Sequence, residues 1–227
     1  MSLILNIETA TKNCSVALSE NGKALFVKEL DNGDYSHAEM LHVFVGEAVK
    51  QAGKKLSDLS AIAVSKGPGS FTGLRIGVSA AKGLCFSLDI PLISINTLQA
   101  LAAQVHVEDG VIIPMIDARR MEVYSAVYDI HFNEIREIKA EVIEENIYDD
   151  YLAKGKVFFI GDAVAKVKDV ITHPNAVFVS SNNPSAKEMA IFSSQKFESK
   201  TFEDVAYFEP FYLKDFVVNK PKSKSKS

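Results

Sequence analysis

Apolar residues near the start of the chain come in short blocks, and farther on they recur at helical spacing. Residues 3–7 (Leu-Ile-Leu-Asn-Ile) are almost continuously apolar and 14–19 (Cys-Ser-Val-Ala-Leu-Ser) alternate with period two, so both predict strands. Asn21-Gly22 tolerates the positive φ values of a tight hairpin turn, which returns the chain as a third strand over 24–29. A helix is predicted over 36–52, opened by Ser36 with Glu39 as its capping-box partner. Next come a strand over 61–64, a glycine-rich turn over 67–73 and a helix over 73–87. A strand over 91–95 follows, and Thr97 is the expected cap of a helix reaching about 105.

The second half repeats this order. Strands are predicted over 111–116, 122–128 and 135–142, then a helix over 144–153, a strand over 157–160 and a helix over 163–170. A strand over 177–179 precedes a last helix from Ser185 to about 197, with Glu188 as its box partner. Two tandem copies of one α/β pattern predict two lobes with a cleft between them. The boundary is expected near 104–110, giving lobes over 1–105 and 106–218, with the last segment free to return to the first lobe.

Composition narrows the class. A chain of 227 residues, 47% apolar and 24% charged, buries about 70% of its surface without disulfide or metal staples. Cys14 and Cys85 lie in apolar settings and read as buried thiols of a reducing cytoplasm. No run approaches the length of a membrane span, and no secretory signal is expected at the start. The net charge is −4, yet four lysines fall in the last eight residues, which leaves −8 on residues 1–219. An acidic body is a poor partner for phosphate backbones, and the basic stretch over 219–227 is expected to be disordered.

Few residues suggest chemistry. The Gly67–Gly73 turn, with Gly69 between, follows a strand and opens a helix, a context that can cradle phosphate. It has Leu74-Arg75 where a nucleotide P-loop needs lysine and a hydroxyl, so a tight turn for close helix packing is preferred. His37 and His42 are five apart, about 140° round a helix, and do not make a metal pair. The acid pairs Glu144-Glu145 and Asp149-Asp150 are explained by a helix start. Asp117-Ala-Arg-Arg120 ends a strand at the expected cleft and reads equally as a salt-bridged turn or an anion site.

The helices carry more. Leu41, Phe44, Val45, Ala48 and Ala52 form one stripe suited to a sheet, with Met40 and Val43 outside it and Gly46 farther round. The helix over 73–87 is apolar or small nearly all round, and Gly73, Gly77 and Ala81 recur every four residues. Such a helix needs cover on two sides, from its own chain or from another subunit, and a partner is preferred.

Together, Ile7-Glu-Thr-Ala10, Ser36-His-Ala-Glu39, the Gly67–Gly77 stretch, Pro114–Arg120 with Glu122-Val-Tyr124, and Pro210-Phe-Tyr-Leu213 resemble the TsaB (YeaZ) family. The resemblance implies a duplicated actin/Hsp70/sugar-kinase-like (ribonuclease-H-like) α/β fold, two lobes each with a mixed sheet and helices. It implies a cytoplasmic, non-catalytic subunit that pairs with the transferase TsaD and the ATPase TsaE. That complex forms N6-threonylcarbamoyladenosine at position 37 of tRNAs reading ANN codons, so tRNA is met only through the complex. The chain lacks two histidines four apart on a helix, as the catalytic relative would have. No metal or cofactor is expected, a nucleotide being left open only within the complex.

The expected contact is the first two helices packed against the same pair of TsaD, or of a second copy when alone. Met40, Val43, Gly77 and Val78 are expected at its centre, with Glu39, Arg75 and Lys82 at its edge. Glu8, Gly67, Gly69, Gly73, Asp117, Arg119 and Arg120 are either ligand positions or structural turns. The alternative is a nucleotide-dependent phosphotransferase of the same fold, using Glu8, the glycine-rich turn and Asp117.

Overall fold

A computed structural model describes residues 2–31, 37–179 and 182–214. The expected cap at Ser36 and the basic stretch over 219–227 lie outside the described residues. No helix among the described residues is long and apolar enough to cross a membrane.

The first half folds as β1 (Leu3–Glu8), β2 (Cys14–Glu20), β3 (Lys23–Leu30), α1 (His37–Gln51), β4 (Ala61–Gly67), α2 (Phe71–Leu88), β5 (Leu92–Asn96) and α3 (Thr97–Ala102). The second gives β6 (Val111–Asp117), β7 (Glu122–Tyr128), β8 (Glu134–Val142), α4 (Asp149–Leu152), β9 (Val157–Ile160), α5 (Val164–Val167), β10 (Ala176–Phe178) and α6 (Ala186–Glu198). The sheets run β3-β2-β1-β4-β5 and β8-β7-β6-β9-β10. In each the first three strands are antiparallel neighbours and the last two are parallel to the first. This identity of order and sense is the duplicated fold. At the first hairpin Asn21 (φ 50°) and Gly22 (φ 78°) both take the left-handed conformation that their turn demands.

Helices on both faces explain why β1 is buried along its whole length. Its alternate residues serve two cores. Leu3, Leu5 and Ile7 pack with Leu41, Phe44, Val45, Ala48 and Val78 under α1 and α2. Ile4 packs on the other side with Ala17, Ile93, Ala100, Met189 and Phe192, under α3 and α6. The helix α3 lies between the sheets, because Leu98, Leu101 and Ala102 join Ile112, Ile116 and Tyr128 of the second lobe. The other face of the second sheet is closed by Tyr148, Leu152, Val164 and Val167.

Several local expectations need correction. Asn96, not Thr97, caps α3, accepting from Leu98 N at 2.9 Å, while the Thr97 hydroxyl accepts from Gly67 N at 3.1 Å. The helix expected from 73 starts at Phe71, because Ser70 caps it and accepts from Gly73 N. The helices expected over 144–153 and 163–170 shrink to four residues each, and Glu144-Glu145 precede α4 rather than opening it. Ser185 does cap α6, accepting from Lys187 N, and α6 then crosses back onto the first sheet.

Candidate functional site

The two expected contact helices pack against each other over the first sheet. On α1, Leu41, Phe44, Val45, Ala48 and Val49 are buried, so Ala38, Glu39, His42, Val43, Gly46 and Lys50 face outward. Met40 is half-buried against the core, whereas Val43 is 49% exposed. On α2, Gly73, Leu74, Gly77, Val78, Ala81 and Cys85 are buried, and Thr72, Arg75, Ser79, Gly83 and Phe86 face outward.

Gly77 and Val78 therefore do not belong at the centre of an outer contact. A Cβ on Gly77 would collide with the Thr9 hydroxyl, and one on Gly73 with the Thr9 carbonyl. The four-residue spacing of small residues does allow close approach, but what approaches is the chain's own β1–β2 loop. One flank of α2 is also covered from within. The segment 203–214 runs along it, and Lys82 donates to the carbonyls of Ala206 and Phe208 at 3.0 and 3.1 Å. Arg75 lies 4.2 Å above the Phe71 ring and donates to the Tyr212 hydroxyl at 3.3 Å. Arg75 and Lys82 are thus engaged with that segment rather than standing free at an edge.

What remains open are the outer faces of α1 and α2. Phe86 is 85% exposed, and at Gly46 and Gly83, apart from the adjoining backbone of their own helices, nothing lies within 4 Å of where a Cβ would stand. Phe86 was recoverable from sequence, being one position (about 100°) off the buried Gly77–Ala81–Cys85 stripe. Tyr207, 84% exposed, gave no such signal because no regular element carries it.

The glycine-rich turn is occupied by the chain itself. Ser70 N donates to the Ala10 carbonyl at 2.6 Å, and the Thr9 hydroxyl to the Gly73 carbonyl at 2.8 Å. A Cβ on Gly69 would strike the Ala10 carbonyl, and one on Gly67, whose φ is 111°, would come within 2.7 Å of the Phe211 carbonyl. The Gly67–Pro68 peptide is cis. Beneath this turn Glu8 is fully buried, its Oε1 accepting from Ala10 N at 2.6 Å and the Ser65 hydroxyl at 2.8 Å. Burial pushes its carboxyl up to about 7, against the pull of those donors. A carboxyl so enclosed is not presented to a metal-bound nucleotide.

At Asp117–Arg120 the carboxylate is paired with Lys166 rather than with the arginines of its own turn. Lys166 donates to Asp117 Oδ1 at 2.6 Å and to the carbonyls of Arg120 and Glu122 at 2.9 and 2.8 Å. Asp117 Oδ1 also accepts from Arg119 N at 2.6 Å, and Asp117 N donates to Asp162 Oδ1 at 2.8 Å. Arg119 and Arg120 both adopt positive φ, 73° and 54°, and their side chains are exposed. The Asp162 carboxyl is raised by burial.

The histidines diverge, His37 being buried with Nε2 at 2.8 Å from the Thr11 carbonyl and His42 exposed. Burial lowers the His37 pKa. Among the described residues no three His, Cys, Asp or Glu side chains are grouped to hold a metal ion. An open pocket of about 390 Å³, lined by Glu145, Asn146, Asp149, Thr172 and His173, lies in the second lobe, with no residue of α1 or α2 in its lining.

A family model described as tRNA N6-adenosine threonylcarbamoyltransferase (TsaD) matches residues 34–222. The chain is 30% identical over 226 residues to the tRNA threonylcarbamoyladenosine biosynthesis protein TsaB of Escherichia coli K12, covering 94% of this chain and 95% of that one. It is 46% identical over 81 residues to the tRNA N6-adenosine threonylcarbamoyltransferase of Jannaschia sp., covering 36% of this chain and 23% of that one. Among solved structures it resembles YeaZ from Pseudomonas aeruginosa, with a TM-score of 0.80 at 28% identity, over 94% of this chain and all of the other.

Proposed function

The chain belongs to the TsaB (YeaZ) family, hence to tRNA threonylcarbamoyladenosine biosynthesis, and we propose that its part there is binding rather than chemistry. In this reading it is a non-catalytic, cytoplasmic subunit that holds and activates the TsaD transferase, with TsaE as a further member. The observation that carries it is the outer face of α1 and α2. Val43 and Phe86 stand exposed beside Gly46 and Gly83, where nothing prevents a second pair of helices from approaching closely.

Similarity to the transferase itself supports a partner with the same helices, packed about a pseudo-two-fold axis into four. In the absence of TsaD, a second copy would take that place. A standard interface buries about 800 Å² on each side, and Met40, Val43 and Phe86 supply its apolar centre here. Glu39 and His42 form its rim. The enclosure of Glu8 and the self-filled glycine turn support the non-catalytic half of the reading.

The test is light scattering of the chain alone and mixed with TsaD, repeated with Val43→Asp and Phe86→Ser. Both variants alter exposed residues and should keep the wild-type circular dichroism. Loss of the mixed species and of any self-paired species is expected. A folded variant that still pairs with TsaD at wild-type affinity would show that the face is wrongly assigned.

A further inference from the structure

The second lobe carries two arginines whose side chains its own chain does not use. They sit on the hairpin between β6 and β7, which corresponds in fold order to the one between β1 and β2. In the first lobe Thr9, Ala10, Thr11 and Asn13 of that hairpin are buried, Thr9 and Ala10 against the start of α2. In the second lobe α5 takes the place of α2 with four residues instead of eighteen. It reaches the hairpin through Lys166 and leaves Arg119, Arg120 and Met121 exposed.

The backbone at this tip is costly. Arg119 and Arg120 hold φ values of 73° and 54°, a region that glycine and asparagine enter readily and long side chains do not. No contact of the guanidinium groups offsets that cost. Among the described residues neither has a hydrogen-bond, ion-pair or ring partner. The carboxylates nearby are engaged elsewhere: Asp117 with Lys166 and the Arg119 amide, Glu122 with Lys214, Asp162 with the Asp117 amide. Two free cations are thus held out from a body whose residues 1–219 carry −8. Strain kept for side chains that touch nothing within the molecule points to something outside it.

We propose that Arg119 and Arg120, with Met121 beside them, dock an acidic segment of a partner protein, whose Asp or Glu carboxylates take the two guanidinium groups. The planar guanidinium fork matches a carboxylate with two parallel hydrogen bonds. Arginine and methionine are also both enriched where proteins meet. A nucleic-acid backbone fits less well, because it repeats its charge along its length and would run on over an acidic body. The basic stretch over 219–227 has the same sign as the arginines and is not the occupant. This contact lies in the second lobe, away from α1 and α2, and does not depend on the docking reading above.

The test is fluorescence anisotropy of the full chain with a labelled peptide of four glutamates around two leucines. The wild type should bind it at low salt, and Arg119→Gln with Arg120→Gln should weaken binding by roughly tenfold or more. Lys50→Gln with Lys154→Gln removes the same charge from exposed sites elsewhere and should bind as the wild type does. Arg119→Asn with Arg120→Gly should also lose the peptide, yet raise the folding equilibrium constant by roughly tenfold in urea unfolding. A fall in that constant would mean that the arginines serve the turn itself, and overturns the proposal. So does a wild type that binds no peptide or prefers a hexanucleotide RNA. Unchanged affinity in the double glutamine variant, or an equal loss in the lysine pair, overturns it as well.

Discussion

Thr9 and Gly77 share one small space. The Thr9 hydroxyl reaches the Gly73 carbonyl, and in doing so its side chain fills the position a Cβ on Gly77 would occupy. The β1–β2 loop is thereby locked to the first turns of α2, and the helix lies closer to the sheet than any residue with a side chain would permit.

Substitution at this point should separate two kinds of glycine. Gly77→Ala is expected to destabilise the chain by about 1–3 kcal/mol through overpacking against Thr9. Gly83→Ala, on the open face of the same helix, should be neutral or stabilise by about 0.5–1 kcal/mol. Urea unfolding of the two variants decides it. Equal effects would mean that Gly77 is not packed as described.

Glu8 gives a pH dependence with a definite sign. Its folded pKa, about 7, lies above the ordinary 4.5, so folding retains a proton that the unfolded chain loses. The contribution is full below pH 4.5 and is lost as pH rises through 7, about 3 kcal/mol in all. Stability should fall across that window, and Glu8→Gln should flatten this part of the curve. Thermal unfolding between pH 4 and 8 measures the slope, and an identical slope in Glu8→Gln would show that the carboxyl titrates normally.

Lys166 ties down a turn in which two consecutive arginines hold positive φ. Replacing it with methionine keeps the stem but removes donors to Asp117, Arg120 and Glu122. A loss of about 1–3 kcal/mol is expected, with faster exchange at the amides of Arg119 and Glu122. If exchange there is unchanged, Arg119 and Arg120 hold the turn without it.

Calorimetry with Mg-ATP tests the rival activity. The isolated chain should show no tight binding, because Glu8 is enclosed and Thr9 and Ala10 fill the glycine turn. Micromolar or tighter binding would favour a phosphotransferase. Removal of residues 220–227 should leave tRNA modification by the reconstituted complex unchanged. A marked loss would assign the four lysines a direct tRNA role.

The sequence by itself determined the order of elements, the Asn21-Gly22 turn and the cap at Ser185, because each depends on neighbours a few residues away. It also carried the family resemblance, which rests on contiguous motifs. Only the tertiary structure decided how α2 is used. Helical spacing of Gly73, Gly77 and Ala81 states that something comes close, but not whether it is Thr9 or a partner. The same holds for Arg75 and Lys82, whose targets lie more than a hundred residues away in the segment 203–214. Periodicity reports which face is apolar, whereas the occupant of that face is set by long-range packing that no local window contains.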